Sequence, residues 1–214
     1  MAEHGEPWIA VSDVSPMFPT LVWKIELKAA LCDEIDAKML AALAELRRGL
    51  PALAAGQGWQ SEQTLHERAE FRELMVCAGR AAKSILHFLH VGYEEMEVTA
   101  CWATVLATGA EHHLHSHPNN FLSGVYYLRV EPGADTIYFH DPRSQAGIIR
   151  PPVTALTAEN TDQVVVSVRE GTLLLFPSYL AHSVPVNAGR GERISLSFNL
   201  MFRAFTKNLS KPLW

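Results

Sequence analysis

The sequence predicts an α+β chain, mainly β, in which two helices precede a β-sandwich or small barrel. Three observations carry this expectation. Up to about residue 93 the apolar residues recur at helical spacing. From about residue 95 the period drops from 3.6 to 2, in six segments rich in Val, Ile, Tyr, Phe and Thr. Clusters of turn formers separate those segments: EPGAD, DPRSQAG, TAENTD, EGT and NAGRGE.

Taken in order, residues 17–27 (MFPTLVWKIEL) alternate as an early strand. Leu27, Leu31, Ile35, Met39, Leu43 and Leu46 then form one apolar helical face, charges occupy the other, and Pro51 ends the helix. AAGQGWQSEQ reads as a loop. Thr64 and Glu67 have the spacing of a capping box, opening a second helix with Phe71, Leu74, Met75, Ala78, Ala82, Ile85 and Leu89. That stripe is expected to pack against the first helix. The six β segments are MEVTACWATVLA, FLSGVYYLRV, DTIYFHD, QVVVSVRE, GTLLLFPS and RISLSFNLMFRA.

At 214 residues the chain reads as one domain, 1–214, with helical support over about 27–93 and a β core over about 95–204. A net charge of −5 and the absence of a basic stripe argue against nucleic acid as a partner. Cys32, Cys77 and Cys101 are odd in number and set among apolar residues, as buried free thiols are. MAEHGEPWIAVSD lacks the features of a signal peptide, and no apolar run approaches the roughly 18–20 residues of a membrane span. A soluble cytoplasmic protein, monomer or homodimer, is expected. The closing TKNLSKPLW is read as a tail whose Trp214 docks on the body or on a second subunit.

Four of the ten histidines fall between positions 112 and 117. On an extended segment His113, His115 and His117 share one side and His112 faces the other. Such a cluster is either a solvated turn or one half of a metal site. A second half is available downstream. A glycine turn, a buried strand and FPS lead to His182, and Arg193 follows eleven residues later. Arg193, Ser195, Ser197 and Asn199 share one face of the last strand; Ile194, Leu196, Phe198 and Leu200 share the other. Both faces are expected to be covered, and a buried arginine requires an anion, either a structural carboxylate or that of a ligand.

These motifs together resemble the iron(II)- and 2-oxoglutarate-dependent oxygenases, and more narrowly a bacterial family with the pattern HxHP…SGVYYL…F.DPR…LLFPS…H…RISxSFN. The resemblance runs from about Phe18 to Phe202. It implies a double-stranded β-helix, or jelly-roll, core. It also implies Fe(II) as the metal, 2-oxoglutarate as co-substrate and O2 as oxidant. His115 and His182 would be metal ligands. Arg193 and Ser195, with Tyr127 beside them, would bind the far carboxylate of 2-oxoglutarate.

One departure stands out. Most such enzymes carry His-x-Asp or His-x-Glu, whereas this chain has His115-Ser116-His117, so His117 takes the carboxylate's place. Asp141, in FHDPR, is the alternative carboxylate ligand, and His113 could replace His115 by a register shift. Thr104, Ser123 and Asn199 are weaker pocket candidates from strand parity. The implied activity is hydroxylation of a C–H bond of a small-molecule substrate with release of succinate and CO2. A three-His jelly-roll dioxygenase or isomerase that ignores 2-oxoglutarate, and a non-catalytic ligand-binding jelly-roll, are the alternatives. His66, His87 and His90 read as surface or boundary residues, and Trp102 and Phe139 as core.

Overall fold

A computed structural model describes residues 10–92, 95–143, 149 and 151–206. The expectation about the Trp214 tail lies outside the described residues. The chain forms β1 (Trp23–Glu26), α1 (Ala29–Leu46), β2 (Gly58–Gln60), two 3-10 turns (Leu65–Glu67, Ala69–Phe71) and α2 (Arg72–Phe88). The β core follows: β3 (Met96–Leu106), β4 (His112–His115), β5 (Leu122–Arg129), β6 (Thr136–His140), β7 (Gln163–Ser167), β8 (Thr172–Pro177), β9 (His182–Val184) and β10 (Arg193–Phe202), then a short α3 (Arg203–Thr206). Two sheets result, a major one ordered β1-β8-β5-β10-β3-β2 and a minor one ordered β4-β9-β6-β7, every paired strand antiparallel. This is the double-stranded β-helix, flanked by two N-terminal helices. No helix among the described residues is long and apolar enough to cross a membrane.

The period-2 pattern of the major sheet places its two faces in different environments. Tyr126, Leu173, Leu175, Ile194, Leu196, Phe198 and Leu200 point outward and pack under Ile35, Met39, Leu43, Phe71, Leu74, Ala78 and Ile85 from the helical layer. Val125, Tyr127, Leu174 and Phe176 point inward and meet Ile137 and Phe139 of the minor sheet. Each such side chain contributes about 1.5–3 kcal/mol by leaving water, so two apolar layers hold the major sheet between them. Gly124 is obligatory in this packing. It pairs with Phe198 across β5 and β10, and a Cβ there would come within 2.2 Å of the Phe198 ring.

Two local readings are corrected. AAGQGWQSEQ contains the edge strand β2, which pairs with β3 through Trp59 opposite Val105; a three-residue strand is too short to show a period. Thr64 makes no capping bond, because its backbone bridges to Cys101 and the chain takes two 3-10 turns before α2 begins at Arg72. The α2 stripe packs with α1 and the sheet in one core, Leu74, Ala78 and Ile85 joining Ile35, Met39 and Leu43, and Lys38 on α1 reaches Glu73 on α2 at 3.5 Å.

Two stability effects follow. Gly124→Ala is expected to lower unfolding free energy by about 1–3 kcal/mol, read from urea midpoints, because the Phe198 ring has no room to retreat. The second concerns Asp36, half-buried on α1, which accepts the Tyr126 hydroxyl at 2.8 Å. Burial raises its carboxyl from 3.8 to about 6, with Glu170 and Asp33 adding and the Tyr126 bond opposing. The folded value lies above the unfolded one, so this group's stability is intact below about pH 4 and is lost as pH rises through about 6. Asp36→Asn, which keeps an acceptor for Tyr126, is expected to be more stable than the parent by about 1 kcal/mol at pH 7.5, after allowance for solvent screening. The difference should shrink toward zero near pH 4 in parallel thermal melts.

Candidate metal centre

The pairing of β4 with β9 builds the site. His115 lies opposite His182, and His112 lies opposite Val184. Three residue steps on β4 therefore match two on β9, the signature of a β-bulge. The His115 and His182 ring centroids are 4.3 Å apart, His115 and His117 5.0 Å, and His117 and His182 5.1 Å. One ligand nitrogen from each of the three lies within 4.8 Å of the others, and this is the one such group among the described residues. The backbone of His117 is tied down as well, donating to the Ser178 carbonyl at 2.9 Å.

The rings are oriented as ligands are. His115 Nδ1 meets the His113 carbonyl at 2.8 Å, and His182 Nδ1 meets the Leu180 carbonyl at 2.9 Å. A carbonyl only accepts, so each Nδ1 carries the proton and each Nε2 keeps its lone pair for a cation. Burial pushes His182 down to about 3 and His117 to about 4, with the neighbouring imidazoles adding to the effect. Both are thus neutral at ordinary pH, the form that binds metal. Phe176 sets its edge against His182 at 4.8 Å and Trp102 lies 5.6 Å from His117, which keeps the rings from swinging away.

Across the cavity stands Arg193, 2% exposed. Its Nε donates to the Ala134 carbonyl at 3.0 Å, and its guanidinium carbon lies 5.0 Å from the Tyr127 ring centre. Its Nη2 has no hydrogen-bond partner and neither has the Tyr127 hydroxyl. No carboxylate among the described residues forms a salt bridge with it. Burial pushes the Tyr127 phenol up to about 12, against the pull of the adjacent guanidinium, so it remains a neutral donor. The triad, Arg193, Tyr127, Ser195, Ser197 and Thr104 all line one cavity.

Not every candidate reaches this cavity. Asp141 is a correction: Arg143 Nε and Nη2 grip its carboxylate at 2.9 and 2.8 Å, and it lines a separate surface groove with Phe18 and Thr161. Its carboxyl is held below the usual range by that arginine. His113 is a second correction, since its side chain is 89% exposed beside Glu111 and the bulge turns it outward. Ser123 and Asn199 are corrected too. Ser123 Oγ bonds Ser178 Oγ at 2.9 Å and Asn199 Oδ1 at 2.8 Å, so these groups satisfy one another and lie outside the cavity wall. Thr104 does line it, held by Gln60 Nε2 at 3.2 Å. The parity argument missed His112, which lines the cavity. A bulge leaves no mark on hydrophobic alternation, so only the His-His doublet hinted at a fourth ring.

The fold and site define a class first: a double-stranded β-helix with a three-imidazole cluster on the minor sheet and a buried, unpaired arginine on the major one. The comparisons are narrower. Residues 100–199 match the family model described as "Putative 2OG-Fe(II) oxygenase". Among solved structures, a prolyl-4-hydroxylase of Pseudomonas putida superimposes with TM-score 0.59 at 17% identity, covering 86% of this chain and 94% of its own. HygX of Streptomyces hygroscopicus, with nickel and 2-oxoglutarate bound, gives 0.61 at 13%, covering 86% and 83%. SnoN, an α-ketoglutarate-dependent epimerase from nogalamycin biosynthesis, gives 0.60 at 14%, covering 85% and 78%. No curated protein matches the chain in sequence. The chain is thus similar to the 2OG-Fe(II) oxygenases in motif and in fold.

His115→Ala and His182→Ala are each expected to abolish one-to-one binding of Mn(II) or Fe(II), measured by metal analysis after anaerobic loading and desalting. Asp141→Asn is expected to retain it in full.

Proposed function

We propose that the protein is a non-haem Fe(II)- and 2-oxoglutarate-dependent dioxygenase that hydroxylates a C–H bond of a small molecule, releasing succinate and CO2. One observation supports this above the others. A buried guanidinium with its Nη2 unsatisfied and a buried phenol whose hydroxyl has no hydrogen-bond partner share a cavity with three convergent imidazoles. A buried charge left unpaired costs several kcal/mol, so the site is built for an anion that the chain does not supply.

The residues fit the groups assigned to them. His115, His117 and His182 would hold the iron through three neutral nitrogens, a donor set that suits first-row metals and leaves open positions. Arg193 and Tyr127 would grip the far carboxylate of the keto acid, the guanidinium with paired hydrogen bonds and the phenol with one. Ser195 stands beside them in the wall. Iron with keto acid and O2 supplies the oxidising power. The protein's part is orientation and exclusion of water. Val125, Ile137, Phe176 and Val184 make the rest of the wall apolar.

A β-helix of this kind hosts several oxidative outcomes, as the prolyl hydroxylase and epimerase among its structural neighbours illustrate. The absence of a carboxylate at position 117 favours one second reading, a three-His dioxygenase or isomerase that ignores 2-oxoglutarate. Oxygen consumption indifferent to added 2-oxoglutarate is its signature, and Arg193 would then have no anion to meet.

Anaerobic mixing with Fe(II) and 2-oxoglutarate is expected to produce the weak visible absorption band of their chelate. Arg193→Leu should weaken 2-oxoglutarate binding by about 2–5 kcal/mol while leaving metal content unchanged. Undiminished affinity in that variant would refute the assignment.

A further inference from the structure

His112 is a fourth imidazole in the cavity, and the three-His site does not use it. Its ring stacks on His115 with centroids 4.4 Å apart and an interplanar angle of 29°. The two ring planes are nearly parallel, and His112 is not among the three residues whose ligand nitrogens lie within 4.8 Å of one another. His112 is therefore a neighbour of the metal cluster rather than a member of it.

Its position along the strand says what it faces. Moving from His115 to His112 on β4, and from His182 to Val184 on β9, leads away from the triad toward the loops 107–111 and 187–192. Those loops are bonded to each other: Gly109 N donates to the Asn187 carbonyl at 2.7 Å and Asn187 N to the Ala110 carbonyl at 2.8 Å. Asn187 Nδ2 also donates to the Leu106 and Gly191 carbonyls at 3.0 and 2.9 Å. Arg193 begins β10 at the end of the second loop. His112 and Arg193 thus stand at the same end of the β-helix, in one cavity, and the Arg193 charge acts on His112. A bulge is needed to bring this ring inside; regular pairing would have left it in solvent.

Resting on the dioxygenase reading above, we propose that His112 is a binding residue for the keto acid, its ring N–H donating to the co-substrate where it spans from the triad to Arg193. The ring forms the wall on the β4 side of that span. Three neutral imidazoles in place of two imidazoles and a carboxylate leave the site short of one negative charge and one acceptor. A dianionic co-substrate is the natural complement, and an additional N–H donor beside it adds to that complementarity without adding a formal charge.

The test uses the full-length protein loaded anaerobically with Mn(II), and titrates 2-oxoglutarate by calorimetry in parent, His112→Phe and His112→Asn; thermal melts confirm that each variant is folded. His112→Phe keeps the stacking ring and removes the donor; it is expected to bind Mn(II) like the parent and 2-oxoglutarate about tenfold more weakly, the loss of one hydrogen bond to a charged group. His112→Asn restores a donor and should recover part of that loss. Unchanged 2-oxoglutarate affinity in His112→Phe would overturn the proposal, and so would a loss of Mn(II) matching that of His115→Ala, which would make His112 a ligand. Parent protein that binds Mn(II) but no 2-oxoglutarate would remove the dioxygenase reading itself, an outcome distinct from failure at His112 alone.

Discussion

The site depends on a short antiparallel pairing in which four residues of β4 meet three of β9. Neither strand is long enough to be stable alone. Their position is imposed by what surrounds them: β6 pairs with β9 through Phe139 opposite His182, and the backbone amides of His117 and His140 bond to the carbonyls of Ser178 and Ala181. Within that frame each of two histidines donates to the carbonyl two residues before it, His115 to His113 and His182 to Leu180. The same local turn of the ring, repeated on facing strands, aims two lone pairs at one point.

The electrostatics of the cavity are lopsided, and magnitudes show how far. His117 and His182 are held neutral by burial. Arg193 carries a full charge in the same enclosure, offset by one carbonyl and the face of one tyrosine. Such a hydrogen bond contributes about 1.5–3 kcal/mol and a desolvated cation–π contact about 2. The penalty for burying the ion is several kcal/mol, so these two contacts offset much of it but leave the Nη2 donor unused. The surrounding loops hold the arginine in place regardless. Arg47 pins Glu192 with two bonds at 2.8 and 2.7 Å, Glu131 accepts from the Gly191 amide, and Asn187 ties the turn. The strain of an unpaired charge is thus carried by tertiary structure around β10.

Most of the scaffold was legible because it repeats. Six strands announce themselves by alternation over five or more residues, and the opposite fates of Ile194, Leu196, Phe198 and Leu200 against Arg193, Ser195, Ser197 and Asn199 follow from parity alone. The helices were legible for the same reason, at period 3.6. What failed to show was short or irregular. β2 is three residues, and the turns between Leu65 and Phe71 answer to backbone bonds with β3, not to the Thr64 hydroxyl. Ser123 and Asn199 have the correct parity for the cavity and yet bond to each other outside its wall, which no pattern of residue types discloses.

The amino-acid sequence by itself determined the two-sheet architecture, the inward face of the last strand, and the chemical kinds present: imidazoles near 115, a lone imidazole at 182, an arginine behind them. Tertiary structure alone decided which imidazoles meet. Register across β4 and β9 is a non-local property, and a single extra residue on one strand exchanges the faces of His112 and His113. It also decided that Asp141 spends its charge on Arg143, two residues away, and not on the imidazole cluster. Local patterns report on a segment's own faces; convergence of side chains from distant segments is set by the pairing of strands, and that pairing exists only in the folded chain.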